Sequence, residues 1–588
     1  MLSDAELLGQ QYARETAKRP SPPLVPQTQH LLAATSSWLS IDLDTMASQP
    51  GQTTLETLGN DSFWQILEEI GIDGLRLQKL KQGGAARTGF AIDPKWGNGW
   101  SKIKNAASIR GIALIGDLIG AATGPCLDFD LALQNASDYA EMYHLIEIDR
   151  KDWKLLPRVP VGMDRVNVPW LKLEELYKKG YIPESARPYT KESDWNATAK
   201  IQCADGQERR WIYLKENQND PVLAWLSPSF AADRIASADA LDSVYRLGQR
   251  VIGIEAKMPS YAKETAALWI RKIGGYTAAS TNGTLAELKT APTDAAFDAP
   301  TRPALLHALI AQDAEALRLI YKLYLREEIE LNRLVHALEP FDAFACDWTE
   351  FLMNPKKSYL YREEKITGSL LRDRLLKEDL YRLNGESRDS LPISTWGGYC
   401  ALAFGVARQK EFANHVEEIQ KAHLLLAFTY AMQPGVFSLS AADLVGALPE
   451  GVNRIDLFGP NQNALYPSLP CQIQTPRSFA SQLKKILAVR QSSKIAAAEL
   501  IDVCPIDNKG TLLLLHRLPG SRFFHLLAVN FSRSPVQEKL KLAGIEETWA
   551  IDLMSGLSAD KGFDSGVFFF DLPPLTGKVF LFQPKYYD

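Results

Sequence analysis

Along the first part of the chain, short apolar runs alternate with stretches in which apolar residues return every three or four positions. SSWLSIDL reads as a strand, and SFWQILEEIGI places Phe63, Ile66, Leu67 and Ile70 on one helical face. GLRLQKL is strand-like, SKIKNAASIRG is helix-like, and IALIGDLIG is a strand again. Strand and helix in this rhythm predict βαβ units around a parallel sheet. Ahead of them, residues 1–34 hold a short amphipathic piece and the proline-rich stretch RPSPPLVPQTQ, which reads as a linker without a core of its own.

The rhythm breaks between about residues 125 and 225, where Trp, Pro and Tyr crowd irregular sequence such as DRKDWKLLPRVP. A structureless loop of that length is implausible, so an inserted subdomain after the third strand is expected. Alternation then resumes. SADALDSVYRLG predicts a helix, QRVIGIEAK a strand, KETAALWIRKIGG a helix and YTAAST a short strand. PALLHALIAQDAEALRLIYKLYLREE reads as one long helical region, RLVHALE as a strand and HVEEIQKAHLLLAFTYAM as a helix, with GVFSLSAADLVG closing the series. The strands number about eight, enough to close a barrel. After roughly residue 480 the texture shifts to short β segments, ILAVRQSS, GTLLLLHRLP, FHLLAVNFS and GKVFLFQP, which predict a separate antiparallel β domain. The expected division is therefore 1–34 as leading segment, 35–124 and 226–479 as barrel, 125–225 as insertion and 480–588 as a β-sandwich.

Composition narrows the function. A chain of 588 residues with 46% hydrophobic and 23% charged residues suits a soluble multi-domain protein. A net charge of −5 without long charge runs offers nothing to nucleic acid or an anionic membrane. No apolar stretch is long enough to span a bilayer and the N-terminus lacks a signal-peptide core, so a cytoplasmic location is expected. The six cysteines are scattered, with no CxxC pair, which suits reduced thiols and predicts neither disulfides nor a metal site.

In a parallel barrel the chemistry lies at the carboxyl ends of the strands. Asp117 ends the third strand and Glu255 the fourth, Ser280 follows the fifth, and Asp342 follows the seventh. Two separated carboxylates there would suit glycoside chemistry, one as nucleophile and one as acid/base. Rim acids paired with nearby Lys or Arg would look the same in sequence. GxxxxGK[ST], HExxH and GxSxG are absent, Gly97-Asn-Gly99 reads as a turn, and His307, His336 and His423 sit in apolar surroundings as core histidines.

GIDGLRL, AIDPKWG, GDLI..ATG..LDFDLAL, DYAEMYHLIEIDRKDWKLLP, IRKIGGYT and KAHLLLAFTYAMQPGVFSLSAADLVGAL, in this order and spacing, resemble the α-amylase superfamily of glycoside hydrolases, trehalose synthases in particular. The resemblance covers roughly residues 37 to 580. It implies a (β/α)8 barrel with an inserted subdomain after the third strand and a C-terminal antiparallel β domain. It also implies an aspartate nucleophile after the fourth strand with an arginine two residues earlier, a glutamate acid/base after the fifth, a His-Asp pair after the seventh, and an Asp and a His about the third-strand loop. Set on this sequence, Asp117 and Asp342 are kept. Ala122 stands at the histidine position, Gly253 at the arginine, Glu255 at the nucleophile, Ser280 at the acid/base, and Phe341 before Asp342. Ala121 falls where a calcium-binding asparagine would stand, so neither metal nor cofactor is expected.

Glu255 would carry its carboxylate more than about 1 Å beyond an aspartate's reach, a misplacement that can cost about 100-fold. Losing the acid/base removes roughly 100- to 10,000-fold. The expectation is a catalytically impaired protein of maltose, trehalose or α-glucan metabolism. Asp117 and Asp342 would bind a sugar, or the chain would dock to an active trehalose synthase or a maltokinase-type partner. The alternative is an active isomerase or α-glucosidase using rearranged acids, with Glu255 and Asp342 at the catalytic positions and Glu287 a candidate in place of Ser280.

Overall fold

A computed structural model describes residues 25–81, 89–182, 194–216, 219–229, 231–339, 347–382, 395–406, 414–448, 454–461, 464–541 and 548–584. The amphipathic N-terminal piece, Phe341 and Asp342 lie outside the described residues.

Eight parallel strands close a barrel: β1 (Ser37–Asp42), β2 (Gly74–Gln78), β3 (Ala113–Asp117), β4 (Gln249–Ile254), β5 (Tyr276–Ala279), β6 (Ala295–Phe297), β7 (Leu334–Leu338) and β8 (Val436–Ser440). Their order around the barrel is β1-β8-β7-β6-β5-β4-β3-β2. In-register pairs such as Leu39 with Leu75, Leu75 with Leu114, and Leu338 with Leu439 fix the neighbours. Strands covered on both faces need apolar residues at every position, so β7 and β8 are buried throughout and read in sequence as unbroken runs.

The connecting helices follow their apolar stripes. Asp61–Ile70 buries Phe63, Trp64, Ile66, Leu67 and Ile70, and stops at Gly71, whose φ of 93° gives the left-handed residue that ends a helix. The long helical region is in fact two helices, Thr301–Ala311 and Glu315–Arg326. Gln312 turns left-handed at φ 54° between them, a break that periodicity alone does not reveal because both halves are apolar. ILAVRQSS, expected as a β segment, is the second half of helix Phe479–Ser493. Its apolar ILAV run is too short for period to separate helix from strand, and packing on helix Val416–Ala431 decides it. Residues 27–34 are likewise not free linker. Gln27 N and Thr28 Oγ1 bond to Asp294, and helix Thr28–Ala34 buries Leu31.

Two compact units emerge. The first comprises Lys79–Asn98 and Gly116–Gly275 in its described part. It contains the insertion after β3, where strands Arg165–Asn167, Trp195–Thr198 and Trp211–Glu216 and helix Trp170–Lys178 enclose Ile148, Val168, Leu173, Leu176, Trp195 and Ile212. The second comprises Val25–Gln78, Gly99–Ile115 and Tyr276–Asp588. It ends in a β-sandwich of a six-stranded and a three-stranded sheet that begins at Glu499. The sandwich core is Leu513, Leu515, Leu526, Ala528, Phe568, Phe570, Phe580 and Phe582.

Candidate active site

Within the first unit, the loop leaving β3 is held from outside. Lys81 Nζ donates to the Asp117 carbonyl at 3.0 Å, to Asp239 Oδ1 at 2.6 Å and to Ser243 Oγ at 2.6 Å. The other Asp239 oxygen accepts from Ile119 N at 2.7 Å, and Glu255 Oε2 accepts from Ala121 N at 2.7 Å. Burial pushes the Asp239 carboxyl above its ordinary value against the pull of Lys81. Ala121 and Ala122 need no polar side chains of their own, because Lys81, Asp239, Glu255 and the 221–223 backbone supply the partners. Ser243 belongs to a π-helical turn, Asp242–Arg246, which ends helix Ala231–Leu241 and carries Ser243 to Lys81.

Two glycines make this arrangement fit. A Cβ on Gly253 would sit 2.1 Å from Asp117 Oδ1, and one on Gly120 only 1.6 Å from Glu255 Oε2. Thus Asp117, half-buried, packs over the Gly253 backbone, and Glu255, though exposed, lies along the loop with its carboxylate on a backbone amide. Asp117 and Glu255 both line this loop.

Two further sequence candidates belong to the second unit. Ser280 directly follows β5 in the second unit and is half-buried. Glu287 places one oxygen on Asn282 N and the other on Asn282 Nδ2, each at 2.7 Å, at the start of helix Leu285–Thr290. Its carboxylate is occupied in shaping that turn. His307, His336 and His423 are all fully buried, as expected of core histidines. Among the described residues no three His, Cys, Asp or Glu side chains gather as metal ligands.

In the second unit sequence reasoning missed a carboxylate. Glu339, directly after β7, is buried and accepts from Ser40 Oγ at 2.7 Å, Ser438 Oγ at 2.9 Å, Arg76 Nη1 at 3.1 Å and Gln78 Nε2 at 3.3 Å. These donors come from β1, β8 and β2. Burial alone would raise the Glu339 carboxyl, but the Arg76 and Arg302 charges outweigh it and hold the group below the usual carboxylate range. With Oε1 and Oε2 both occupied by donors, Glu339 is committed to the protein. The signal was present in the sequence: an arginine inside the apolar strand GLRLQ requires an acid somewhere in the barrel.

No protein-family model matches the sequence, and no curated relative does. Solved structures do. An Anoxybacillus α-amylase aligns over 94% of this chain and 99% of its own, with TM-score 0.56 and 10% identity. The fold is that of the α-amylases. An α-amylase from H. orenii covers 94% and 99% at TM-score 0.54 and 13% identity. The trehalose-6-phosphate hydrolase of Bacillus licheniformis covers 95% and 100% at TM-score 0.56 and 12% identity. At such identities the likeness extends to the barrel and its added domains, and the chemistry rests on the residues described above.

Proposed function

We propose that this chain is a carbohydrate-binding protein of the trehalose synthase type that holds a maltose- or trehalose-sized sugar, or a short α-glucan, without cleaving it. The observation that carries this reading is the placement of Glu255. Its Oε2 accepts from the Ala121 amide at 2.7 Å and lies against Gly120, which draws the carboxylate onto the loop backbone and leaves Oε1 as the oxygen that would have to face an anomeric carbon. Gly253 adds to it, since Asp117 fills the space into which an arginine at that position would grow. The Ser280 hydroxyl is far too weak an acid to protonate a leaving glucosyl oxygen near neutral pH. Asp117 and Asp342 are the residues proposed to bind sugar hydroxyls, with no metal or cofactor. An acarbose complex of the Geobacillus thermoleovorans α-amylase, aligned over 94% of this chain at 10% identity, supports a sugar as the ligand class.

Calorimetry with maltose, trehalose and maltodextrins, alongside turnover assays on the same sugars and a nitrophenyl α-glucoside, tests the proposal. The expected outcome is saturable heat for at least one sugar, lost in Asp117→Ala and Asp342→Ala, and no turnover. Turnover that disappears in Glu255→Gln would establish an enzyme instead. Silence toward every sugar would remove carbohydrate binding altogether.

A further inference from the structure

The six-stranded C-terminal sheet has one face in the sandwich core, and residues of its other face are buried against helices Glu315–Arg326 and Val416–Ala431. That second face is made of Leu512, Leu514, Leu527, Val529 and Val579, with the Gly577 backbone flat on the Phe428 ring. Two histidines interrupt it. Strand Thr511–Arg517 carries His516 and strand Phe524–Asn530 carries His525, directly opposite each other in the antiparallel ladder. They stand in a row that reads Leu500, His516, His525, Leu581, Ile551 across five strands.

His516 is 0% exposed and His525 1%. Both ring nitrogens of His516 and Nδ1 of His525 have no hydrogen-bond partner. An imidazole buried among leucines without a partner persists only in the neutral form, and a second imidazole across the ladder lies within about 5 Å at Cβ. Among the described residues no acid is placed to offset a charge on His516. His336, on β7, reaches His516, and it is itself basic. Asp298 is taken by His336, Thr301 and Tyr324. From helix Glu315–Arg326, Arg318 turns to Glu315 and the Cys504 carbonyl. From helix Val416–Ala431, the Tyr430 hydroxyl pairs with Thr301. Glu499 and Arg517, at the ends of their strands, are exposed.

We propose that His516 and His525 form an acid-operated latch: neutral, they let the C-terminal sheet seat on the barrel helices, and their protonation favours a state in which strands Thr511–Arg517 and Phe524–Asn530 have left the helices and their ladder has opened. Burial pushes His516 down to about 3, with His525 and His336 adding to it, and His525 down to about 4. Released into water, each would titrate near its ordinary value of about 6.5. The seated state therefore binds fewer protons, and its advantage is complete above that value and lost progressively as pH falls toward the buried values.

Hydrogen exchange of the full-length protein, corrected for intrinsic rates, gives the opening constant of strands Thr511–Arg517 and Phe524–Asn530 relative to β1 and β8. Two histidines freed to titrate near 6.5 raise that constant about a thousandfold between pH 8 and pH 5. In His516→Leu/His525→Leu the rise is expected to fall below about tenfold, the two titrations having been removed. An equal rise in both proteins would overturn the proposal. In the unmodified protein, exchange of the imidazole C2 hydrogens reads each titration directly. Midpoints well below 6.5 that coincide with opening support the latch, and midpoints near 6.5 with the strands still protected refute it.

Discussion

Replacing Arg76 with methionine tests whether the Glu339 network is a coupled unit. The Arg76 and Glu339 side chains are 11% and 8% exposed, and the guanidinium also lies over the Phe297 ring at 5.0 Å. Arg76→Met leaves Ser40, Ser438, Gln78 and the Arg302 charge to hold a buried carboxylate, a loss on the order of 4 kcal/mol. Glu339→Gln strands the arginine instead, but the Phe297 ring compensates in part, so about 3 kcal/mol is expected. The double variant removes both members of the Arg76–Glu339 ion pair. It should cost far less than the sum, with a coupling of at least about 2 kcal/mol. Unfolding entropy of about 2.1 cal/mol/K per residue over the whole chain converts 4 kcal/mol to a Tm lowered by about 3 °C. Calorimetry of the four proteins at pH 7.5 closes the cycle. Because the folded Glu339 carboxyl lies below its ordinary value, its contribution is present above that ordinary value and lost as pH falls through the folded one, so the difference between the unmodified protein and Arg76→Met should shrink in acid. Additivity within about 0.5 kcal/mol would refute the network.

Lys81→Met should cost about 3–5 kcal/mol, because Asp239 is fully buried and loses its cation; an unchanged Tm would show that Asp239 is neutral in the folded protein. Gly120→Ala should cost about 1 kcal/mol by driving Glu255 from the Ala121 amide, and that cost should vanish in a Glu255→Ala background when both are compared by urea unfolding. A cost that persists there would mean the carboxylate does not rest on Gly120.

The barrel was legible wherever a strand is long and buried on both faces. SSWLSIDL, IALIGD and LVHAL announce β1, β3 and β7 because their surroundings demand apolar residues throughout. β6 was not legible. It has three residues, Ala295–Phe297, between Asp294 and Asp298, and its identity comes from pairing with β5 and β7 rather than from its own pattern. Acid positions could be read at the strand ends, but their employment could not. Asp117 and Glu255 were singled out by position alone, whereas the Ala121 amide on Glu255 and the Asp117 oxygen over Gly253 depend on loop geometry. Glu339 was overlooked because the reading of RLVHALE as a strand put it inside the element, while the arginine that pairs with it lies in a strand 263 residues away.

The two glycines facing the two carboxylates also constrain how this sequence can change. Any residue larger than glycine at 253 collides with Asp117, and any at 120 collides with Glu255, until the acid has moved. Substitutions here are consequently ordered. A side chain enters at 253 at least cost in a lineage that has already altered or displaced Asp117. Ala121 and Ala122, which supply only backbone partners to the loop, carry no such debt. The loop therefore resists change at its glycines by the cost of displacing an acid side chain, and a library that randomises 120 or 253 singly should return glycine more often than any other residue.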